Sequence, residues 1–178
     1  VAEFGRAAEA RALLEQLARI HSRAGRADEA CDALVQVARL VPEEHTLDPA
    51  LTALDEQKRR KEAVALLEEV AGAVADTGWR ARAFVRAADI ARTRLAKRGK
   101  ARELLERALE LLPRDKGALL AYAELLIEIG DGDAALTALE RLVAVETDPK
   151  PRATLQLRIG RLLEEHLLRP DDALKRYR

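Results

Sequence analysis

Three histidines, one cysteine, one tryptophan and two short charged clusters are the groups in this 178-residue chain that could do chemistry. A metal centre needs three or four converging ligands, and His21, His45 and His166 are far apart in the chain. His45 stands in Glu43-Glu44-His45-Thr46-Leu47-Asp48, which reads as a solvated loop whose carboxylates nothing holds in place. His166 follows Glu164-Glu165 on a charged helix face, and His21 falls at a helix-packing position. Asp131-Gly132-Asp133 lacks the spaced downstream ligands of a calcium loop and reads as a tight interhelical turn. Cys31 has no second cysteine to pair with, which excludes an internal disulfide and a multi-cysteine metal site. Its place near a helix start could acidify a thiol, but packing is the simpler role. No catalytic triad, phosphate loop or paired-carboxylate motif is present. The reading is a non-enzymatic chain with no catalytic residue, no metal and no cofactor.

Charge and aromatic content narrow the partners. The 31 basic and 31 acidic residues give a net charge of zero, whereas nucleic acid and anionic membrane surfaces call for a basic excess. Aromatic residues are 3% of the chain, too few for base stacking. The one basic run, Lys58-Arg59-Arg60-Lys61, reads as a solvated turn. No stretch approaches the roughly 18 apolar residues that a membrane helix needs. Neither nucleic acid nor membrane is expected, and a cytoplasmic location is the default. The chain starts at Val1 and stops at Arg178 inside an apparent helix, so it is expected to be a piece of a longer protein. Its Ala-, Arg- and Leu-heavy composition points to a GC-rich bacterial gene.

The elements that would position any site are helices. Ala (35) and Leu (30) exceed a third of the residues, and both are strong helix formers. An alanine recurs in the first turn of five amphipathic segments, at Ala30, Ala63, Ala101, Ala135 and Ala173, with intervals of 33, 38, 34 and 38 residues. Four residues on, the same helical face carries Leu34, Leu67, Leu105, Leu139 and Tyr177; three further on come Val37, Val70, Ala108 and Leu142. A small residue is what two crossing helices need for their axes to approach to roughly 8 Å. Gly25 and Gly130 end helices before acid-bearing turns, and Pro42 and Pro113 stop the next ones.

The spacing predicts ten helices, at roughly 6–24, 27–41, 49–58, 60–75, 79–97, 98–112, 115–129, 132–146, 150–168 and 171–178, with Asp48-Pro49 opening the third as N-cap and first-turn proline. A second level of repetition lies above this one. Residues 68–106 align without a gap onto 140–178, with identical pairs such as Asp76/Asp148, Arg80/Arg152, Leu95/Leu167 and Ala101/Ala173. The unit is a pair of repeats, the second with a longer first helix or turn.

These residues resemble the tetratricopeptide repeat, a 34-residue helix–turn–helix. Leu14, Leu17-Ala18, His21, Gly25, Asp28-Glu29-Ala30, Leu34, Val37 and Pro42 fall at its spacings, as do Leu119, Ala123, Leu126, Gly130, Ala135, Leu139 and Leu142. Its large aromatics are replaced: Leu14, Leu47, Phe84, Leu119 and Gln156 stand at its Trp position. The second repeat has Lys58 in place of the turn glycine. The resemblance implies an all-α, right-handed α–α superhelix, a single solenoid over 1–178 with about five repeats at 6–42, 47–75, 79–113, 115–147 and 150–178. It also implies a concave groove lined by each repeat's first helix. Mapped here, that groove carries Glu15, Arg19 and Arg23; Asp48, Thr52 and Asp55; Val85, Asp89 and Arg92; Leu120, Glu124 and Ile127; Leu157, Arg161 and Glu164. The family's best-known groove clamps a C-terminal carboxylate with clustered Lys and Asn. This chain contains no Asn, so that mode is not expected.

Trp79, alone of its kind and at a helix start after Gly78, is either a clamp over the preceding helix end or an interface anchor. The expected function is a scaffold that takes a peptide or helix of a protein partner in the groove. The alternative is assembly through exposed solenoid ends, with a nucleic-acid-binding solenoid or an enzyme as distant readings.

Overall fold

The computed structural model describes residues 2–177, with side chains from Ala8 onward; Val1 and Arg178, the latter read above as ending the chain within a helix, lie outside the described residues. Among the described residues there are ten α-helices, 83% of the chain, and no strand. They are α1 (Ala2–Arg23), α2 (Ala27–Leu40), α3 (Glu44–Glu56), α4 (Arg60–Ala73), α5 (Thr77–Thr93), α6 (Arg98–Leu111), α7 (Lys116–Ile129), α8 (Gly132–Val145), α9 (Pro149–Glu165) and α10 (Pro170–Tyr177). The chain divides into two compact units, Val1–Ala83 and Phe84–Arg178, with the division inside α5.

In the first unit α1 packs on α2, α2 on α3 and on α4, and α3 on α4. Its core is Cys31, Val35 and Ala38 of α2, Leu47, Ala50 and Leu54 of α3, and Leu66, Leu67 and Ala71 of α4. Burial pushes the Cys31 thiol above its ordinary pKa, which keeps it a packed, protonated side chain. In the second unit α6 packs on α7, α7 on α8, α8 on α9 and α9 on α10. Phe84, Leu104, Leu105, Leu119, Leu125, Leu126, Leu139 and Ile159 fill that core.

The five recurring alanines are all buried, at 0–8% exposure. Leu67, Leu105 and Leu139 behind them are buried too, and Leu34 is half-buried. Tyr177 departs from the stripe at 41% exposure. Its ring lies against Gly160 of α9, so closely that a Cβ there would stand 2.2 Å from it.

The boundaries differ most from the sequence reading at α3, which starts at Glu44 and not at Pro49, while α5 and α9 end at Thr93 and Glu165, three or four residues earlier than expected. The N-cap is Glu43, not Asp48. The hydroxyl of buried Thr46 accepts the Glu43 N–H (3.3 Å) and donates to the Val41 carbonyl, a local network that starts the helix early. Pro49 is tolerated because, at the sixth helical position, it withdraws a donor from one first-turn carbonyl only. His45 therefore sits on a helix and not in a loop.

The paired-repeat reading holds at the level of backbone. Helices α3 to α6 begin at Glu44, Arg60, Thr77 and Arg98, and α7 to α10 begin at Lys116, Gly132, Pro149 and Pro170, each 72 residues later. Every turn between the two helices of a repeat contains one left-handed residue: Gly25, Lys58, Ala96, Gly130 and Leu168, with φ between 52° and 82°. The turns are of two kinds, which alternate from the second repeat onward. At the short ones the next N–H reaches back five residues (Arg26 to His21, Arg59 to Leu54, Asp131 to Leu126; 2.8–2.9 Å), and at the long ones six (Lys97 to Ala91, Arg169 to Leu163; 2.8 Å).

A left-handed φ costs a residue bearing a Cβ about 1–2 kcal/mol that glycine does not incur. Ala96→Gly and Leu168→Gly are therefore expected to raise unfolding free energy by about 1 kcal/mol in urea titrations, and Gly130→Ala to lower it by a similar amount. Nothing lies within 4 Å of a Cβ built at Gly130, so the last loss would be conformational alone. Leu105→Ala, which empties a site 2% exposed, is expected to lose about 2–5 kcal/mol in the same assay.

Candidate functional site

Helices with period 3.6 turn one stripe inward and leave the other to solvent, and none of the fifteen mapped first-helix residues is buried in the core. Arg19, Arg23, Asp48, Thr52, Asp55, Asp89, Leu157, Arg161 and Glu164 are exposed; Glu15, Val85, Arg92, Leu120, Glu124 and Ile127 are half-buried. Trp79 is half-buried in the first turn of α5, where its backbone N–H donates to the Asp76 carboxylate.

In the first unit a cleft of about 450 Å³ opens between α1, α2 and α3. Its floor includes Ala18, Ala30, Cys31 and Ala53, and Glu15 and Arg19 stand on its rim. The cleft exists because the side chains that let these helices close on one another are too small to fill the space above the contact. Glu15 is paired with Arg11 (2.8 Å), and Arg11 also reaches the His45 ring (Nη2 to Nε2, 3.0 Å). Arg19 Nε donates to the Glu15 carbonyl (3.2 Å), Thr52 donates to the Asp48 carbonyl (2.9 Å), and Asp55 pairs with Arg60 (3.4 Å).

In the second unit the charges are paired across helices. Arg92 of α5 contacts Glu128 (2.7 Å) and Glu124 (4.0 Å) of α7, and Glu124 also meets Arg158 of α9 (3.3 Å). One row thus ties three first helices together. Arg158 and Glu128 were absent from the sequence mapping; no residue type marks them, since their partners are fixed by which helices become neighbours. Beside the row, a cleft of about 430 Å³ lies between α7 and α9, floored by Leu120, Leu142, Leu155 and Pro151 and edged by the Lys116–Glu146 pair (2.9 Å). Leu157, half exposed, is on α9 as well. Glu164 accepts the Tyr177 hydroxyl (3.1 Å).

A second network supports α7 from α6. Tyr122 donates to Glu106 (2.8 Å), which also accepts Arg102 Nε (2.9 Å), and Arg102 pairs with Asp131 (3.1 Å). The Arg102 bond, with help from Tyr122, holds the Glu106 carboxyl below its usual pKa, whereas burial first and then Glu106 push the Tyr122 hydroxyl up.

What such a surface can do is bind by shape. Exposed ion pairs contribute little free energy, about 0–1 kcal/mol each, and a row already neutralised offers an arriving charge little. Apolar floors reward an inserted aliphatic or aromatic side chain by roughly 25 cal/mol per Å² removed from water. Among the described residues no cluster of three or more His, Cys, Asp or Glu could hold a metal ion, and no helix is long and apolar enough to cross a membrane.

Comparisons with known proteins agree with this architecture. Residues 97–159 match the tetratricopeptide repeat family. No curated protein sequence matches the chain. Among solved structures it is similar to a crystal structure of MamA, with a TM-score of 0.64 over 96% of this chain and 89% of that one at 20% identity. A MamA fragment, 41 to the end, from Desulfovibrio magneticus RS-1 gives 0.60 over 94% and 91% at 15% identity. YrrB, described as a TPR protein with an unusual peptide-binding site, gives 0.58 over 92% and 80% at 19% identity. At these identities the likeness is one of fold.

A depressed carboxyl pKa contributes stability that is present above the unfolded value and lost as pH falls through the folded one. Glu106→Gln is therefore expected to flatten the loss of stability on acidification below the ordinary carboxylate range, read as urea midpoint against pH.

Proposed function

We propose that this chain, a tetratricopeptide-repeat protein, is a non-catalytic scaffold that holds a peptide or helix of another protein along the first helices of its repeats. The fold and the repeat match support a role in protein interaction. The observation that carries the finer reading is the cleft between α7 and α9. It has an apolar floor of Leu120, Leu142 and Leu155, of which Leu120 is a mapped residue, and is flanked by charges already matched to one another. An apolar side chain of the partner fills it, and Leu157 and Arg161 contact the residues on either side. The first unit's cleft, with Arg19 on its rim, takes a second such side chain. The peptide-binding site named for YrrB, a protein of similar fold, supports the same use of this chain.

Apolar side chains that α1 and α10 turn outward favour a second, compatible role, self-association through the terminal helices.

Peptides selected from a random display library on the wild-type chain provide the test. Leu157→Glu and Arg161→Ala are expected to weaken the selected peptides about tenfold each, a loss of about 1.4 kcal/mol, with aliphatic or aromatic positions enriched among the winners. Equal binding by wild type and both variants, or the absence of any selected peptide, would contradict the groove reading.

A further inference from the structure

Between Asp89 and Glu103 the chain carries six cations and no acid: Arg92, Arg94, Lys97, Arg98, Lys100 and Arg102. They span the end of α5, the turn at Ala96 and the start of α6. The fold occupies three of them. Arg92 pairs with Glu128 (2.7 Å), Lys100 with Glu103 (3.0 Å), and Arg102 with Glu106 (2.9 Å) and Asp131 (3.1 Å). Arg94, Lys97 and Arg98 are exposed and have no ion-pair partner among the described residues.

Packing does not call for these charges, since the same backbone elsewhere carries opposite ones. The α9–α10 turn, 72 residues on, closes with the same long hydrogen bond, Arg169 N–H to the Leu163 carbonyl, as Lys97 N–H does to Ala91 (2.8 Å each). Arg169, in the place of Lys97, is neutralised there by Asp172 three residues later (2.7 Å). Lys100 stands where that turn has Asp172. Arg59, at the same step before α4, is met by Glu62, again three residues on (2.8 Å), and by Asp32 of α2 (2.6 Å). Acids occupy the first turn of α2, α4, α8 and α10, and α6 has none. Cations in that position oppose the helix macrodipole and repel one another, so the cluster works against the stability of α6.

An exposed patch of one sign attracts the opposite sign and steers its encounter. Its surroundings decide the kind of anion. The α7–α8 turn lies beside it, as the Arg92–Glu128 and Arg102–Asp131 pairs show, and carries Glu128, Asp131 and Asp133. A nucleic-acid backbone, charged along its whole length, would run onto those carboxylates. Residues 90–102 also hold no aromatic ring on which a base could stack. A few adjacent carboxylates suffice to cover the three unpaired cations and stop short of the acids.

We propose that the α5–α6 turn docks an acidic segment of a partner protein, whose neighbouring Asp or Glu carboxylates pair with Arg94, Lys97 and Arg98 as Asp172 pairs with Arg169. The turn is held by its own backbone hydrogen bond, so the cations are presented on a fixed frame. This surface is independent of the groove: none of the three is a mapped first-helix residue, and Arg92, which is, already has its carboxylate.

Fluorescence anisotropy of labelled octaglutamate, octaglutamine and octathymidylate with the 178-residue chain provides the test. Wild type is expected to bind octaglutamate at low salt, to release it as salt screens the charges, and to ignore octaglutamine. The triple variant Arg94→Gln, Lys97→Gln, Arg98→Gln is expected to weaken octaglutamate about tenfold or more. A control that removes the same charge from exposed cations elsewhere, Lys61→Gln, Arg114→Gln, Arg152→Gln, is expected to bind as wild type does. Lys100→Asp, which supplies the acid that α10 has in Asp172, is expected to weaken the peptide without lowering the urea midpoint. Absence of octaglutamate binding at low salt would overturn the proposal, as would an equal loss in the control, which means diffuse attraction. Octathymidylate held more tightly than octaglutamate, and lost in the triple variant, would overturn it in favour of nucleic acid. Peptides selected on the groove are expected to bind the triple variant unchanged, so the two surfaces report separately.

Discussion

Where the second helix of each repeat crosses the first, the side chain in its opening turn must be small, and Ala30, Ala63, Ala101, Ala135 and Ala173 meet that demand with near-complete burial. Axes can then close to roughly 8 Å, and the larger side chains four and seven residues on reach the neighbouring helices. The rest follows from this contact. It fixes which stripe of each helix is inside, and hence which first-helix residues are left to meet a partner. It also leaves the shallow space over Ala18, Ala30 and Ala53 that becomes the first unit's cleft.

The recurrence of one small and two large residues at helical spacing was enough to read ten helices and their pairing, and the 72-residue pair of repeats reappears in the helix starts. The sequence reading missed where backbone or local polar contacts overrule a familiar signal. Asp48-Pro49 looks like a helix opening, but Thr46 and Glu43 close the first turn ahead of it, and one proline near a helix start withdraws too little to stop them. Glycine marks the left-handed turn residue at two of five turns; at Lys58, Ala96 and Leu168 residues that carry a Cβ adopt the same φ, which no residue type signals. Tyr177 keeps the stripe's spacing and packs its ring on Gly160 of α9, yet stays 41% exposed.

Of the candidate surface, exposure was legible and partnership was not. Periodicity alone keeps Arg92, Glu124 and Arg161 out of the core, the first two half-buried and the third exposed. That Arg92 and Glu124 bind each other, with Arg158 completing the row, depends on the distance between separate helices, which no local pattern encodes. The consequence bears on function. A face whose charges are matched internally discriminates by the shape of its apolar clefts, with electrostatics left to the edges.

Replacing Ala63, Ala101 and Ala135 one at a time with leucine, and measuring unfolding free energy in urea, tests the central contact directly. All three are 0–3% exposed. Overpacking a closed helix contact predicts a loss of about 1–3 kcal/mol at each position, similar in size because the sites are equivalent. Three variants that unfold with the parent would mean that these alanines do not set the helix spacing.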